Sequence, residues 1–429
     1  MTQGQINRYH VILKSIEGQM SVAEVATATG LSERQVIRLR KGVKEEGAAF
    51  LIHKGKDKPS MRATPDKTKE KIVNLYRSDD YNGSNFLHFS ELLSEREDIT
   101  LSYTTVRDTL KAAGIDSPRK RRRFKQHRSR KRKEQEGLLL QMDATPHEWF
   151  GGKRKYALHG GMDDAKGEIT GAYMTKHECL HGYLETMRQT ITNHGIPISA
   201  YTDRHCIFRS TIADKLTLED QLAGKLINDT QFGRAMRELG ITMIYARSAQ
   251  AKGRIERLWG TLQDRLVIEF RINNIKTVHE ANSFLVDYIP KFNNRFAVEA
   301  ESAESAYTQL SPELDLDHIL CVKEIRSLDN GGVFSFNSKS WLIADNLVPG
   351  KSKVEVIASA TKGLIALYKG KPYEVMPYIK PKKVSKPKVS EKQEAKCWFL
   401  NRKIPIYAPE MTDTETYEML NDIFLSKYA

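Results

Sequence analysis

Two short apolar runs, each ending in an aspartate, constrain this chain more than any other feature. Leu138-Leu139-Leu140-Gln141-Met142 leads into Asp143, and Ile198-Ser199-Ala200-Tyr201-Thr202 leads into Asp203. Runs of this length and composition predict buried strands, each delivering a carboxylate at its C-terminal end. A third acid follows in a different setting. Residues 247–264 read RSAQAKGRIERLWGTLQD: a small polar loop, a glycine, then a basic helix with Glu256 in its first turns. Helical spacing sets Lys252, Glu256 and the Trp259/Gly260 pair one turn apart, flanked by Arg254 and Arg257. A carboxylate among cations fits beside a metal and a phosphate, whose charges offset one another. Such a helix alone is more commonly a solvated surface. Two strand-end aspartates upstream make it informative.

The surrounding region alternates as an α/β domain should. Strands are expected at 138–142, 156–162, 169–174, 198–202 and 242–245, and helices at 181–194, 231–239 and 278–295, with the Glu256 helix between the last two. Three antiparallel strands followed by alternating helices and strands is the order of an RNase H-like core with a mixed sheet. Phosphodiester chemistry must activate an oxygen nucleophile and stabilise a leaving oxygen. Two divalent ions can serve both ends of an in-line displacement, and hard cations select oxygen ligands.

With Asp143-Ala144-Thr145-Pro146, Thr202-Asp203-Arg204 and Gln250-Ala251-Lys252-Gly253-Arg254-Ile255-Glu256-Arg257 in view, the chain resembles the DDE transposases and retroviral-type integrases. It is most similar to insertion-sequence transposases of the ISNCY type. The resemblance is densest from 137 to 295 and includes Phe292-Asn293-Asn294-Arg295. It implies that Asp143, Asp203 and Glu256 are catalytic and hold two Mg²⁺, with Mn²⁺ able to substitute: Asp143 bridging the ions, Asp203 and Glu256 holding one each. It further implies phosphate contacts from Lys252, Arg254 and Arg257, a DNA contact from Gln250, and close backbone approach at Gly253. Other acids compete for these roles. Glu148 is expected beyond the end of the first strand, Asp163 and Asp164 in a hairpin turn that favours Asp on conformational grounds, and Glu168 and Asp264 on the surface. His177, Cys179 and His181 look like a metal cluster only superficially, and no zinc is assigned.

A formal charge of +14 and a pI near 9.3 favour a polyanionic partner, without separating nucleic acid from an anionic membrane surface. No stretch is long and apolar enough to span a bilayer, and the N-terminus lacks a signal pattern. Four cysteines, without a CxxC, argue for reduced thiols in a cytosolic compartment. They also leave no equivalent of the metal-bound HHCC domain of retroviral integrases.

At 429 residues two to four domains are expected. Residues 1–64 predict a helix at 3–16, with Ile6, Tyr9, Val11, Ile12 and Ile16 on one face. Two capping boxes follow, Ser21/Glu24 and Ser32/Gln35, separated by Gly30. This reads as a helix-turn-helix whose second helix enters the DNA major groove. Glu33, Arg34, Gln35 and Arg38 are then placed for bases, with Arg40 and Lys41 beside them. Residues 65–117 predict helices at 66–76, 86–93 and 103–113: a second helical, winged-helix-like DNA-binding domain, or a spacer. Residues 118–136 are a basic linker. Eleven of the fifteen residues from Arg119 to Lys133 are Lys or Arg, including Arg121, Arg122, Arg123, Lys125, Arg128, Arg130, Lys131 and Arg132. Such a run contacts DNA phosphates through counterion release, or serves only as a localising or solubilising arm. An inserted helical segment at 209–229 has no assigned role. Residues 312–380 predict a small β-barrel with turns at Asn330-Gly331, Pro349-Gly350 and Lys369-Gly370, and 381–429 a Lys/Pro linker and tail.

Together these expectations describe a prokaryotic, cytoplasmic, nucleoid-associated enzyme without membrane attachment. It would bind the terminal inverted repeats of an insertion sequence, free 3′-OH ends and join them to target DNA, acting at least as a dimer on double-stranded DNA. The alternatives are a sequence-specific regulator with a non-catalytic RNase H-like domain, and a nuclease that cuts without joining.

Overall fold

A computed structural model describes residues 2–52, 63–119, 130–210, 229–246, 253–343 and 348–379. The expectations for 120–129, for most of 209–229, for Gln250 and Lys252, and for the tail fall outside these residues. The chain divides into two compact units, Met1–Asn74 and Leu75–Ala429.

In the first unit, α1 (Gln3–Ile16), α2 (Val22–Thr29) and α3 (Glu33–Glu46) close on Ile12, Val25, Val36 and Val43. Both expected capping boxes form, and Thr2/Gln5 adds a third on α1. Each satisfies amide groups that a helix start leaves open, a contribution of about 1 kcal/mol. Gly30 ends α2 in the left-handed region at φ 69°, where a side chain would be strained. On α3, Arg34, Arg38 and Lys41 are exposed along one stripe, with Ile37 between them at 57% exposure. Arg40 turns partly inward. The Gln35 side-chain oxygen accepts from the Ser32 amide at 3.2 Å, so the cap occupies the acceptor that a base contact would use.

α4 (Asp66–Arg77) crosses the division between the units. In the second unit, α5 (Phe86–Arg96) and α6 (Tyr103–Ala112) lead into a five-stranded sheet. Its strands are β1 (Leu140–His147), β2 (Tyr156–Asp163), β3 (Ile169–Thr175), β4 (Ser199–Thr202) and β5 (Thr242–Tyr245), in spatial order β3-β2-β1-β4-β5. β1, β2 and β3 pair antiparallel; β4 lies parallel to β1, and β5 parallel to β4. This is the expected RNase H-like mixed sheet. α7 (Leu180–Asn193) and α8 (Gln231–Glu238) share one apolar cluster with Leu140 and Met142 of β1. α9 (Gly253–Ile272) and α10 (Val278–Phe296) build another with Leu158, Met162 and Met174.

Two boundaries differ instructively from expectation. β1 does not stop at Met142; it continues through His147, paired with β2 along its length, so Asp143 sits within a strand. Antiparallel pairing with β2 carries β1 past the point where its apolar run ends. α5 extends to Arg96, and its last turns are bound by charge. Glu91 pairs with Arg265 at 2.5 Å and Arg295 at 2.7 Å, Glu95 with Arg295 at 2.6 Å, and His88 with Glu269 at 3.0 Å. α5 is thus anchored on α9 and α10. The turn after β2 forms as expected, except that Asp163 is the last residue of β2, and both Asp163 and Asp164 are buried.

After the short helix α11 (Leu316–Ile319), six strands form an antiparallel, nearly closed barrel-like sheet: β6 (Val322–Ser327), β7 (Val333–Phe336), β8 (Lys339–Ile343), β9 (Lys353–Ser359), β10 (Gly363–Tyr368) and β11 (Lys371–Pro377), in order β6-β9-β10-β11-β8-β7. It docks on α8. Gln231 exchanges two hydrogen bonds with the Lys323 backbone, and Arg234 donates to the carbonyls of Ile319 and Cys321.

Candidate active site

The face of β1 that carries Asp143 is the face covered by α9. Alternation along a strand sends Leu140 and Met142 one way and Gln141, Asp143 and Thr145 the other. Two of the latter bond directly to α9: Trp259 Nε1 donates to Asp143 Oδ2 at 3.1 Å, and Gln263 Nε2 donates to Thr145 Oγ1 at 2.8 Å. Glu256, Trp259/Gly260 and Gln263 recur at i, i+3/i+4 and i+7, one stripe of a helix. Glu256 is therefore the next residue, toward the helix start, on the stripe that lies along β1. It is exposed, while Trp259 is buried.

The Trp259 interaction depends on a glycine that stands outside the three acidic motifs. Gly160 is the β2 partner of Asp143. A Cβ added there would lie 2.5 Å from the Trp259 ring, so only glycine lets the indole reach across β2 to the aspartate. A Gly160-Gly161 pair inside a strand was the available signal, since strand glycines mark close approaches.

Asp203 follows the last residue of β4. The parallel register sets Leu140 beside Ala200 and Gln141 beside Tyr201; continued by two residues, it sets Asp143 beside Asp203. Directly after, the His205 amide donates to Asp203 Oδ1 at 2.9 Å, turning the chain away from the sheet. The charges of both aspartates reach Tyr183 on α7. Its hydroxyl is driven well above the ordinary tyrosine range by burial first, then by Glu178, Asp143 and Asp203. The β1–β4 register thus runs toward two aspartates on neighbouring chain segments, and Glu256 lies on the α9 stripe that faces β1. Their oxygen donors suit a hard cation such as Mg²⁺, which uses one or two carboxylates and keeps waters. Among the described residues, no three His, Cys, Asp or Glu side chains stand close enough together to hold a metal ion.

Of the competing acids, Glu148 lies exposed just past the end of β1, as expected, and the others are committed elsewhere. Asp163 accepts from the amides of Gly137, Ala165 and Lys166 and from the Tyr307 hydroxyl. Asp164, fully buried, binds Arg130 at 2.7 Å, Arg254 at 2.6 Å, the Gln141 side chain and the Lys133 amide. Burial alone would raise the Asp164 pKa, but Arg254, Arg130 and the Lys133 amide outweigh it and hold the carboxyl below its ordinary 3.8. Glu168 pairs with Lys166, and Asp264 with Arg119. Cys179 and His181 are buried. The Cys179 amide donates to His159 Nε2, which fixes the His159 proton on Nδ1, facing the Tyr173 carbonyl.

Of the expected DNA contacts, Arg130, Lys131, Arg132, Arg254 and Arg257 line one cavity, while Arg34, Arg38, Arg40 and Lys41 lie on α3. Arg254 turns to Asp164, and Arg119 also donates to the Gly260 carbonyl. Arg257 lies on α9 away from the Glu256 stripe. Gln250, Lys252 and Arg121 to Lys125, with Arg128, fall outside the described residues.

A mixed sheet ordered 3-2-1-4-5, with one aspartate on β1 and another just past the end of the adjacent β4, is an RNase H-like arrangement. Over 370 residues the chain is 34% identical to the transposase for insertion sequence IS1202 of Streptococcus pneumoniae, covering 79% of this chain and 78% of that one. It is 32% identical over 370 residues to the putative transposase y4bF of Sinorhizobium fredii (strain NBRC 101917 / NGR234), covering 86% and 76%. The winged helix-turn-helix family matches residues 8–68. Among solved structures, a chain of the simian T-cell lymphotropic virus intasome is similar at 15% identity and TM-score 0.29, over 71% of this chain and 96% of that chain. The chain belongs to the insertion-sequence transposases.

Proposed function

We propose that this protein is a DNA transposase that frees and joins the ends of its element at Asp143, Asp203 and Glu256. The observation that supports this reading is the parallel β1–β4 register, which when continued brings Asp143 level with Asp203 just past β4, with Trp259 and Gln263 holding the Glu256 stripe of α9 along β1. These three carboxylates do not stand together as a metal-binding group in this structure; drawn together, they would hold Mg²⁺, which would offset charge on the attacking and leaving oxygens of an in-line displacement. Asp143 keeps one oxygen on the Trp259 indole. Asp203 is fixed by the amide of His205. Glu256 stays on the exposed flank, where a DNA strand can approach. Recognition of the element's ends falls to the exposed stripe of α3, from Arg34, Arg38 and Lys41, with Gln250, Lys252 and the basic linker on phosphates. Two ends must be handled together, so the working form is at least a dimer on DNA.

The test is a joining reaction between a labelled element end and a plasmid target, in Mg²⁺ or EDTA, with wild-type protein and Asp203→Asn. Joining that needs Mg²⁺ and disappears in the variant, while end binding persists, is the expected result. Cutting without joining would indicate a nuclease. Specific binding with neither reaction, or joining undiminished in Asp203→Asn, would overturn the reading.

A further inference from the structure

We propose that the flank of α9 opposite Glu256 carries a second, non-catalytic phosphate site for the DNA backbone. Arg254, Arg257, Leu258 and Thr261 recur at i, i+3, i+4 and i+7. At ~100° per residue their stripe lies about 180° around the helix from Glu256, Trp259/Gly260 and Gln263. The buried positions Ile255, Leu262 and Leu266 lie between the two. One helix therefore serves two surfaces: the carboxylates on one flank, cations on the other.

The cationic flank opens on a cavity of about 580 Å³. Its walls are Arg130, Lys131 and Arg132 from the segment before β1 and Arg254 and Arg257 from α9. Met162, Leu258, Phe292 and Phe296 supply apolar surface, and among the described residues no acidic side chain lines it. The nearby carboxylates are already engaged: Asp164 takes Arg130 and Arg254, and Lys131 lies between Glu134 and Glu301. Arg132 donates to the carbonyls of Asp164 and Ala165, and Arg257 to that of Gly253. Among the described residues neither of these two arginines has a carboxylate partner. Burial, then the charges of Arg254 and Arg257, lowers the Arg132 pKa, which marks guanidinium groups crowded around one space. An anion between Arg132 and Arg257 relieves that repulsion and uses guanidinium forks suited to phosphate. The apolar floor suits the sugar of the same nucleotide. The cavity faces away from the carboxylates, so it would grip a stretch of duplex other than the one being cut.

This inference rests on the transposase reading, because it takes the ligand to be DNA. It is tested by the salt dependence of binding to a duplex oligonucleotide carrying the element's end. Arg257→Gln is the main variant, since among the described residues Arg257 bonds only to its own helix backbone; Arg257→Lys, Arg132→Gln and Asp143→Asn complete the set. Removing one phosphate-binding cation should lower the slope of log affinity against log salt by about 0.9 in magnitude. The expected result is that decrease in Arg257→Gln, with restoration in Arg257→Lys and an unchanged thermal midpoint. A wild-type slope in folded Arg257→Gln overturns the proposal whatever Arg132→Gln does. If Asp143→Asn instead joins DNA normally, the transposase reading fails while the slope result stands.

Discussion

A single hydrogen bond, from the Trp259 indole to Asp143, fixes where one carboxylate of the proposed centre points. Bonds to a charged partner contribute about 1.5–3 kcal/mol, and each 1.4 kcal/mol corresponds to roughly tenfold in rate. Trp259→Phe keeps an aromatic ring and removes the donor, so joining should slow by about ten- to a hundredfold and the thermal midpoint should fall with the lost bond. Equal joining rates in the two proteins would show that the bond positions nothing. Gly160→Ala attacks the same interaction from below. Its methyl would overlap the indole, and the strain of overpacking, about 1–3 kcal/mol, should appear as a lowered thermal midpoint as well as slowed joining. His159 sets a pH limit. Burial pushes its pKa down from 6.5 to about 3, so the folded state holds it neutral while the unfolded chain takes up a proton below about pH 6.5. Its contribution is complete above that pH and declines toward pH 3. Denaturant titrations should therefore show a shallower acid decline in His159→Gln than in wild type; identical pH slopes would contradict this. Trp259 itself was visible in the sequence as part of a motif. Its partner was not, because 116 residues separate it from Asp143 and nothing local encodes their pairing.

At the scale of elements, local signals carried far. Capping boxes place α2 and α3, glycines end helices, and alternating apolar runs locate the sheet, because those features act within a few residues. Where expectation and structure part, a distant partner decides. β2 extends β1 beyond Asp143, and ion pairs from α9 and α10 lengthen α5. The turn acids became a hub because Arg130 and Arg254 converge on Asp164 from 34 and 90 residues away. That hub ties the segment before β1 to the start of α9, and so bears on where Glu256 sits. Asp164→Asn leaves two guanidinium groups facing a neutral amide. Breaking a buried pair in this way costs about 3–5 kcal/mol, and calorimetry should show a markedly lower midpoint. A variant as stable as wild type would mean that the hub is dispensable.

For the whole molecule, the central claim is that carboxylates from β1, the end of β4 and the start of α9 act as one centre for joining DNA. The barrel and α8 share an apolar cluster with β1, and α5 is bound to α9. The sheet and helices that carry these acids are thus braced on both sides. Groups that act as a unit show losses that do not add. The most direct measurement is the joining rate of wild type, Asp143→Asn, Glu256→Gln and the double variant, on the same duplex ends in Mg²⁺. Each single substitution should lower the rate about as far as both together, with end binding unchanged. Losses that simply multiply, or Glu256→Gln joining at the wild-type rate, would contradict a shared centre.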